Sequence, residues 1–315
     1  MDILVFVLFF AGLIAIIKGS DWFVDSVIWI AKVMRVPNFI IGATLVSLCT
    51  TLPEAMVSTG SVLRKNTDMA VGNALGSIAC NTGFILALTI ILSRPSFKDR
   101  KRFLSKGIFL LLLIGFVAFV GLVFGEVGRP SGIVLLIIFI FYMYSNVREG
   151  KNNSSDQPEE QVVYDKKTVI KRISLFIIGL GLTILGANLL VTNGEKIAKL
   201  LGVSDIIIGL TMTALGTSLP ELMTAITAIR KKAHGISIGN VFGANILNII
   251  LVIGLSSTIL PIPFDETMIR FHLPFIMLIV ASSVVLGLIF KNNFKRRGGF
   301  WLLGTYMLYV VMMIN

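Results

Sequence analysis

Gly42-Ala43-Thr44-Leu45-Val46-Ser47-Leu48-Cys49-Thr50-Thr51-Leu52-Pro53-Glu54 recurs 167 residues later. The second copy is Gly209-Leu210-Thr211-Met212-Thr213-Ala214-Leu215-Gly216-Thr217-Ser218-Leu219-Pro220-Glu221. In each copy a Leu-Pro-Glu triplet interrupts an apolar run. Working outward, 36–81 aligned with 203–248 without a gap gives 16 identities in 46 positions. A second shared block is Gly72-Asn73-Ala74-Leu75-Gly76-Ser77 through Asn81, repeated as Gly239-Asn240-Val241-Phe242-Gly243-Ala244 through Asn248. The chain is an internal duplication with one glutamate buried in each half.

The surroundings of those blocks are a membrane protein. The chain is 55% hydrophobic and 14% charged, with mean hydropathy +0.89, whereas a soluble domain is roughly 25% charged. Ten apolar runs are long enough to cross a hydrocarbon core of roughly 30 Å: about 2–33, 36–63, 69–92, 103–124, 131–147, 170–194, 203–229, 235–260, 270–290 and 298–314. The first exceeds a perpendicular crossing, so it is expected to tilt or to end in an interfacial segment after Lys18. Residues 2–17 lack the basic start and small-residue cleavage site of a signal peptide.

Net charge +11 is explained by where the charges lie, not by nucleic acid. With ten crossings, the loops at 31–35, 93–106, 148–172, 230–234 and 291–297 share one side and hold 21 Lys and Arg. The other side holds six. The positive-inside rule places the basic side in the cytoplasm and both termini outside. This is the topology of a protein in the cell (plasma) membrane.

Five crossings per half make the second half enter from the opposite side. The expected fold is therefore an all-α polytopic membrane protein. Its ten transmembrane helices form two inverted five-helix repeats with broken helices at the midplane. The repeats span 1–147 and 170–315. Residues 148–169, rich in Asn, Ser and Lys, read as a flexible cytoplasmic linker. Inverted repeats favour a transporter, because two like halves can adopt two opposed asymmetric states.

Pro53 and Pro220 lack an N–H and clash with the carbonyls four residues back, at Cys49 and Gly216. The carbonyls of Thr50 and Thr217 lose regular pairing as well. In lipid these groups need another partner, and a cation beside the adjacent glutamate supplies one. Asn73, Ser77 and Asn81 lie at i, i+4 and i+8 on one helix face; Asn240 and Asn248 hold the equivalent face, with Ala244 between them. The Gly-x-x-x-Gly in each block predicts close helix packing. The donor set is all oxygen, which suits Ca²⁺ and Na⁺. Cys49 and Cys80 make no disulfide framework and read as small packing residues. His234 and His272 form no metal cluster. Lys18, Asp21 and Asp25 are charged residues late in the first helix; Lys18 and Asp21, spaced i, i+3, read as a local pair near the cytoplasmic half, with a gating or ion-entry role as the alternative.

Glu54 and Glu221 carry −2, which one Ca²⁺, two Na⁺ or two protons would discharge. Mutual exclusion at one such site is the logic of antiport. H⁺/Ca²⁺ exchange and a Ca²⁺-permeable channel are the alternatives. No nucleotide loop or nucleophile with a base suggests an enzyme, and no cofactor is expected beyond the transported ions.

On these two doubled motifs the chain resembles the sodium/calcium exchanger family of the calcium/cation antiporter superfamily, the compact prokaryotic exchangers above all. The resemblance implies Na⁺/Ca²⁺ exchange by alternating access, with a single chain sufficing. It implies Ca²⁺ held by Glu54, Glu221 and the backbone carbonyls of Thr50 and Thr217. It implies Na⁺ held by the carbonyls of Ser47 and Ala214 and by the side chains of Thr51, Ser77, Ser218, Glu54 and Glu221. Asn73, Asn81, Asn240 and Asn248 would support them. The long helices at about 2–33 and 170–194 would slide to alternate access. Three positions depart from the family pattern: Cys49-Thr50-Thr51 replaces Gly-Thr-Ser, Ala244 stands where a serine is common, and Asn248 where several relatives have Asp. The last two bear on how many Na⁺ ions bind.

Overall fold

The computed structural model describes residues 2–95, 100–152, 165–200, 216–290 and 293–314. Almost all of them are helical. Helix α1 is Asp2–Val33. It is followed by a bent pair, α2 (Asn38–Thr50) and α3 (Leu52–Leu63), which meet at 41°. Next come α4 (Thr67–Ser93), α5 (Arg100–Phe124) and α6 (Arg129–Asn152). The second half contains α7 (Lys166–Leu200), α8 (Leu219–Arg230), α9 (His234–Ile259), α10 (Met268–Ile289) and α11 (Arg296–Ile314).

Seven of these helices, or eight with the bent pair taken as one span, are long and apolar enough to cross a membrane. The expected count was ten. Residues 203–215 of the expected 203–229 crossing lie outside the described residues, with α8 as its described end. The expected 298–314 crossing falls within α11. Helix α6 continues to Asn152 and α7 begins at Lys166, both within the expected 148–169 linker. Residues 153–164 lie outside the described residues.

Helix α1 is continuous over 32 residues, about 48 Å at 1.5 Å per residue, with no break after Lys18. It lies antiparallel to α7. A Cβ built on Gly12 would fall 3.0 Å from the Gly186 carbonyl oxygen, and one built on Gly19 would fall 2.7 Å from that of Gly179. Gly179 and Gly186 are the duplicates of Gly12 and Gly19, so each glycine meets the duplicate of the other. The same reciprocity recurs at the loops. A two-residue strand β1 (Glu126–Val127) pairs antiparallel with β2 (Ile262–Pro263), matching Val127 with Ile262. Their duplicates are bonded too: the Phe294 N–H donates to the Pro95 carbonyl at 3.3 Å. Like halves packed reciprocally relate by a two-fold axis.

The core is built on α4 and α9, the most buried of the long helices. Both contain a π-helical turn, at Asn81–Leu86 and at Asn248–Ile253. These turns are duplicates, and each starts at the last asparagine of its motif. Such turns insert a residue into a helix and occur mostly at functional sites. Gly239 and Gly243 bring α9 against α2: their Cβ positions would fall 2.2 Å from the Phe39 carbonyl oxygen and 2.5 Å from the Ser47 hydroxyl.

Candidate functional site

Each Leu-Pro-Glu triplet opens a new half-helix. Proline is favourable in a first turn, where its missing N–H is not needed, so α3 and α8 restart at Leu52 and Leu219 with Glu54 and Glu221 in their first turns. The breaks are alike: Thr51 has φ −81°, ψ −6° and Ser218 has φ −86°, ψ 2°. Both glutamates therefore stand at helix N-termini, where the partial positive charge of the peptide dipoles favours an anion. Pro53 offers no N–H to the Cys49 carbonyl, and Pro220 none to that of Gly216. Broken helices of this kind present N–H groups and freed carbonyls to one midplane point.

Glu54 and Glu221 are both 0% exposed. Among the described residues none of their four carboxylate oxygens has a hydrogen-bond partner. The same is true of the buried hydroxyls of Thr51 and Ser218 and of both polar atoms on Asn81 and Asn248. Buried polar groups are nearly always paired, and burying two charges unpaired is prohibitive. A cluster of unpartnered hard oxygen atoms around −2 fits a desolvated cation of matching charge.

The remaining motif residues form the frame. Thr50 donates from its hydroxyl to the Asn240 side-chain carbonyl at 3.2 Å, and its duplicate Thr217 donates to that of Asn73 at 3.1 Å. These reciprocal bonds cross-link the two repeats. The Asn73 amide donates to the Glu54 backbone carbonyl at 3.2 Å and to the Ser58 hydroxyl at 2.9 Å, fixing the turn that carries Glu54. The Asn240 amide has no such partner among the described residues, since the duplicate of Ser58 is Ala225. Ser77 and Thr217 lie 3.5 Å apart, hydroxyl to hydroxyl. Ala244, the duplicate of Ser77, is buried and offers no hydroxyl.

The Ser47 carbonyl accepts the Thr51 N–H at 2.9 Å and lies 3.5 Å from the Thr50 hydroxyl; a carbonyl oxygen has a second lone pair beyond such a bond. Ala214 lies outside the described residues. Other buried polar atoms that the motifs did not single out are also unpartnered among the described residues, including the Thr224 hydroxyl and the Asn245 side-chain carbonyl. Asn245 is held from its other side, its amide donating to Thr82 at 2.7 Å. Thr224 lies one turn beyond Glu221 and Asn245 one turn before Ile249, but their duplicates, Val57 and Ile78, carry no polar group, so the repeat did not flag them. Cys49 is half-buried and Cys80 buried, both as free thiols.

A cavity of about 250 Å³ lies between α7 and the starts of α3 and α8, lined by Pro53, Thr217 and Pro220 at the broken helices and by Met69 and Glu195. At the opposite end of the molecule α1 is tied to α8. Asp25 pairs with Lys231 at 2.8 Å, and Asp21 lies 3.7 Å from both Arg230 and Lys231. The expected local Lys18–Asp21 pair gives way to this arrangement, in which the closely packed α8 terminus offers Asp21 two cations.

Comparison with known proteins agrees with this geometry. The sodium/calcium exchanger protein family matches the chain twice, at residues 4–148 and 171–315, once in each half. An uncharacterized membrane protein of Methanocaldococcus jannaschii is 35% identical over 302 residues, covering 95% of both chains. The sodium/calcium exchanger MaX1 of Methanosarcina acetivorans is 29% identical over 347 residues, covering 98% of both. The structure of the sodium-calcium exchanger NCX_Mj, soaked with 10 mM Na⁺ and zero Ca²⁺, superposes with a TM-score of 0.86 at 33% identity and covers 99% of both chains. The double family match, one per duplicated half, and a site of unpartnered oxygens where the halves meet lead to one conclusion: this chain belongs to the sodium/calcium exchanger family, as a helical membrane antiporter of cations.

Proposed function

We propose that the protein exchanges Na⁺ for Ca²⁺ across the cell membrane by alternating access. The carrying observation is the pair of buried carboxylates whose four oxygens find no protein partner. Glu54 and Glu221, with the backbone carbonyls of Thr50 and Thr217, hold Ca²⁺. Thr51, Ser77 and Ser218, the carbonyls of Ser47 and Ala214, and the same two glutamates hold Na⁺ when Ca²⁺ is absent. Asn73, Asn81, Asn240 and Asn248 support them. One −2 site serving both cations makes their occupancies exclusive, and that exclusion couples the two fluxes. The hydroxyl-bearing positions favour Na⁺ over H⁺ as the counter-ion, as do the names of the relatives MaX1 and NCX_Mj.

Two inverted repeats, 1–147 and 170–315, joined by a cytoplasmic segment 148–169, place both termini outside. The reciprocal contacts of α1 with α7 and the Lys/Arg distribution support that topology. A single chain contains the whole site.

Purified protein in Na⁺-loaded liposomes, diluted into Na⁺-free buffer, is expected to take up radioactive Ca²⁺, whereas liposomes loaded with K⁺ or choline take up none. Uptake that ignores Na⁺ and follows an imposed pH gradient would make the protein an H⁺/Ca²⁺ exchanger. Uptake that follows the Ca²⁺ gradient alone would make it a channel.

A further inference from the structure

The two ends of the ion pathway are related by the duplication, yet they are not built alike. At one end α1 meets α8 in two layers. The inner layer is a buried contact between the Ser20 and Thr227 hydroxyls at 3.1 Å. The outer layer is the Asp21 and Asp25 cluster with Arg230 and Lys231. At the other end the equivalent surfaces belong to α7 and α3. There Ser20 is replaced by Ala187, Asp21 by Asn188, Asp25 by Thr192, Thr227 by Gly60 and Arg230 by Leu63; only Lys231 keeps a cation, as Arg64. The α7 residues do not seal that end. Ala187, Asn188 and Thr192 line the 250 Å³ cavity instead, and Asn188 and Thr192 are exposed.

We propose that the Asp21/Asp25–Arg230/Lys231 cluster is an ionic latch that closes the cytoplasmic gate and biases the ion-free carrier toward the outward-open state. This rests on the topology and transport activity proposed above. For the site to open inward, α1 must leave the α8 terminus, breaking the Ser20–Thr227 contact and the ion pairs. As α1 moves with α7, through their glycine contacts, α7 must close on α3. The closing surface there lacks the duplicates of both aspartates and has only Glu195 of α7 among the acidic residues lining the cavity, so one carboxylate stands against the two whose pairs are lost at the first end. The sequence therefore builds unequal free energies into two states that exact symmetry would make equal. A ligand's apparent affinity at a face scales with the fraction of carriers open to that face, so the latch raises the Ca²⁺ concentration needed at the cytoplasmic face and leaves the external one nearly unchanged.

A part-exposed ion-pair network contributes about 1 kcal/mol, which is roughly fivefold in an equilibrium. The test is Na⁺-driven Ca²⁺ uptake by right-side-out and everted membrane vesicles, with deuterium exchange of the ion-free purified protein as a second readout. The variants are Lys231→Gln, Asp21→Asn with Asp25→Asn, and the swap Asp25→Lys with Lys231→Asp. The neutralised variants are expected to lower the half-saturating Ca²⁺ at the cytoplasmic face about fivefold, with the external value within twofold of wild type. They should also speed exchange in residues 20–33 and in α8. The swap should restore both readouts. Adding acids at the other gate, Asn188→Asp with Thr192→Asp, should lower the cytoplasmic value too, by favouring closure on Arg64. If the wild type transports but the neutralised variants leave both readouts unchanged, or the swap restores neither, the latch is overturned. If the wild type shows no Na⁺-driven uptake, the proposed function fails, and the exchange data alone decide for or against the latch.

Discussion

Asn73 and Asn240 occupy duplicated positions, but their loss should cost unequal amounts. Asn73 makes three side-chain hydrogen bonds: to the Glu54 carbonyl, to the Ser58 hydroxyl and from the Thr217 hydroxyl. Asn240 makes one, from the Thr50 hydroxyl, and its amide is unpartnered among the described residues. Each bond contributes a net of about 1 kcal/mol. Asn→Ala removes the same atoms at both sites and both residues are buried, so the cavity contributions largely cancel. Asn73→Ala should therefore destabilise the protein by about 3 kcal/mol and Asn240→Ala by about 1 kcal/mol. The difference of about 2 kcal/mol is readable as unequal shifts in unfolding midpoint in detergent micelles. Ser58→Ala makes the first repeat resemble the second, whose residue there is Ala225. In that background the gap between the two asparagine variants should shrink by about 1 kcal/mol. Equal shifts for the two variants, or a larger one for Asn240→Ala, would refute the assignment of Asn73 as the brace of the Glu54 turn.

Glu54→Gln or Glu221→Gln halves the charge facing a divalent ion. Ca²⁺ uptake into Na⁺-loaded liposomes should fall about 10²–10³-fold, on the scale of breaking a buried charge pair. Uptake like wild type by either variant would remove that glutamate from the site. Ala244→Ser restores a hydroxyl opposite Ser77 and should lower half-saturating Na⁺ about fivefold, the worth of roughly one hydrogen bond, with little change for Ca²⁺; an unaltered Na⁺ titration would place residue 244 away from the ions. Gly19→Ala puts a Cβ 2.6 Å from the Thr183 backbone nitrogen and 2.7 Å from the Gly179 carbonyl oxygen. Backbone cannot yield as a side-chain tip can, so a loss of about 1–3 kcal/mol and of transport is expected, whereas Gly181→Ala, with nothing within 4 Å, should be silent in both assays.

What the sequence made legible is what the duplication repeats. A proline in mid-helix removes a donor and kinks or breaks the helix, so the breaks at Thr51 and Ser218 were legible from Pro53 and Pro220, and the glutamates from the cost of leaving them unpaired. The cross-links Thr50–Asn240 and Thr217–Asn73 needed the tertiary structure, since no spacing along either helix predicts a partner about 140 to 190 residues away. The π-helical turns at Asn81 and Asn248 were hidden for another reason: one inserted residue leaves the polar spacing before it intact. The Lys18–Asp21 reading failed because an i, i+3 neighbour competes poorly with two cations brought in by another helix. Thr224 and Asn245, which the repeat does not mark, have duplicates that differ in chemistry, and so do Asp21 and Asp25. Duplication marks the positions both halves must share to hold one ion between them, and so it locates the site. The positions where the halves diverge decide which face the site meets first, and only the folded chain displays them.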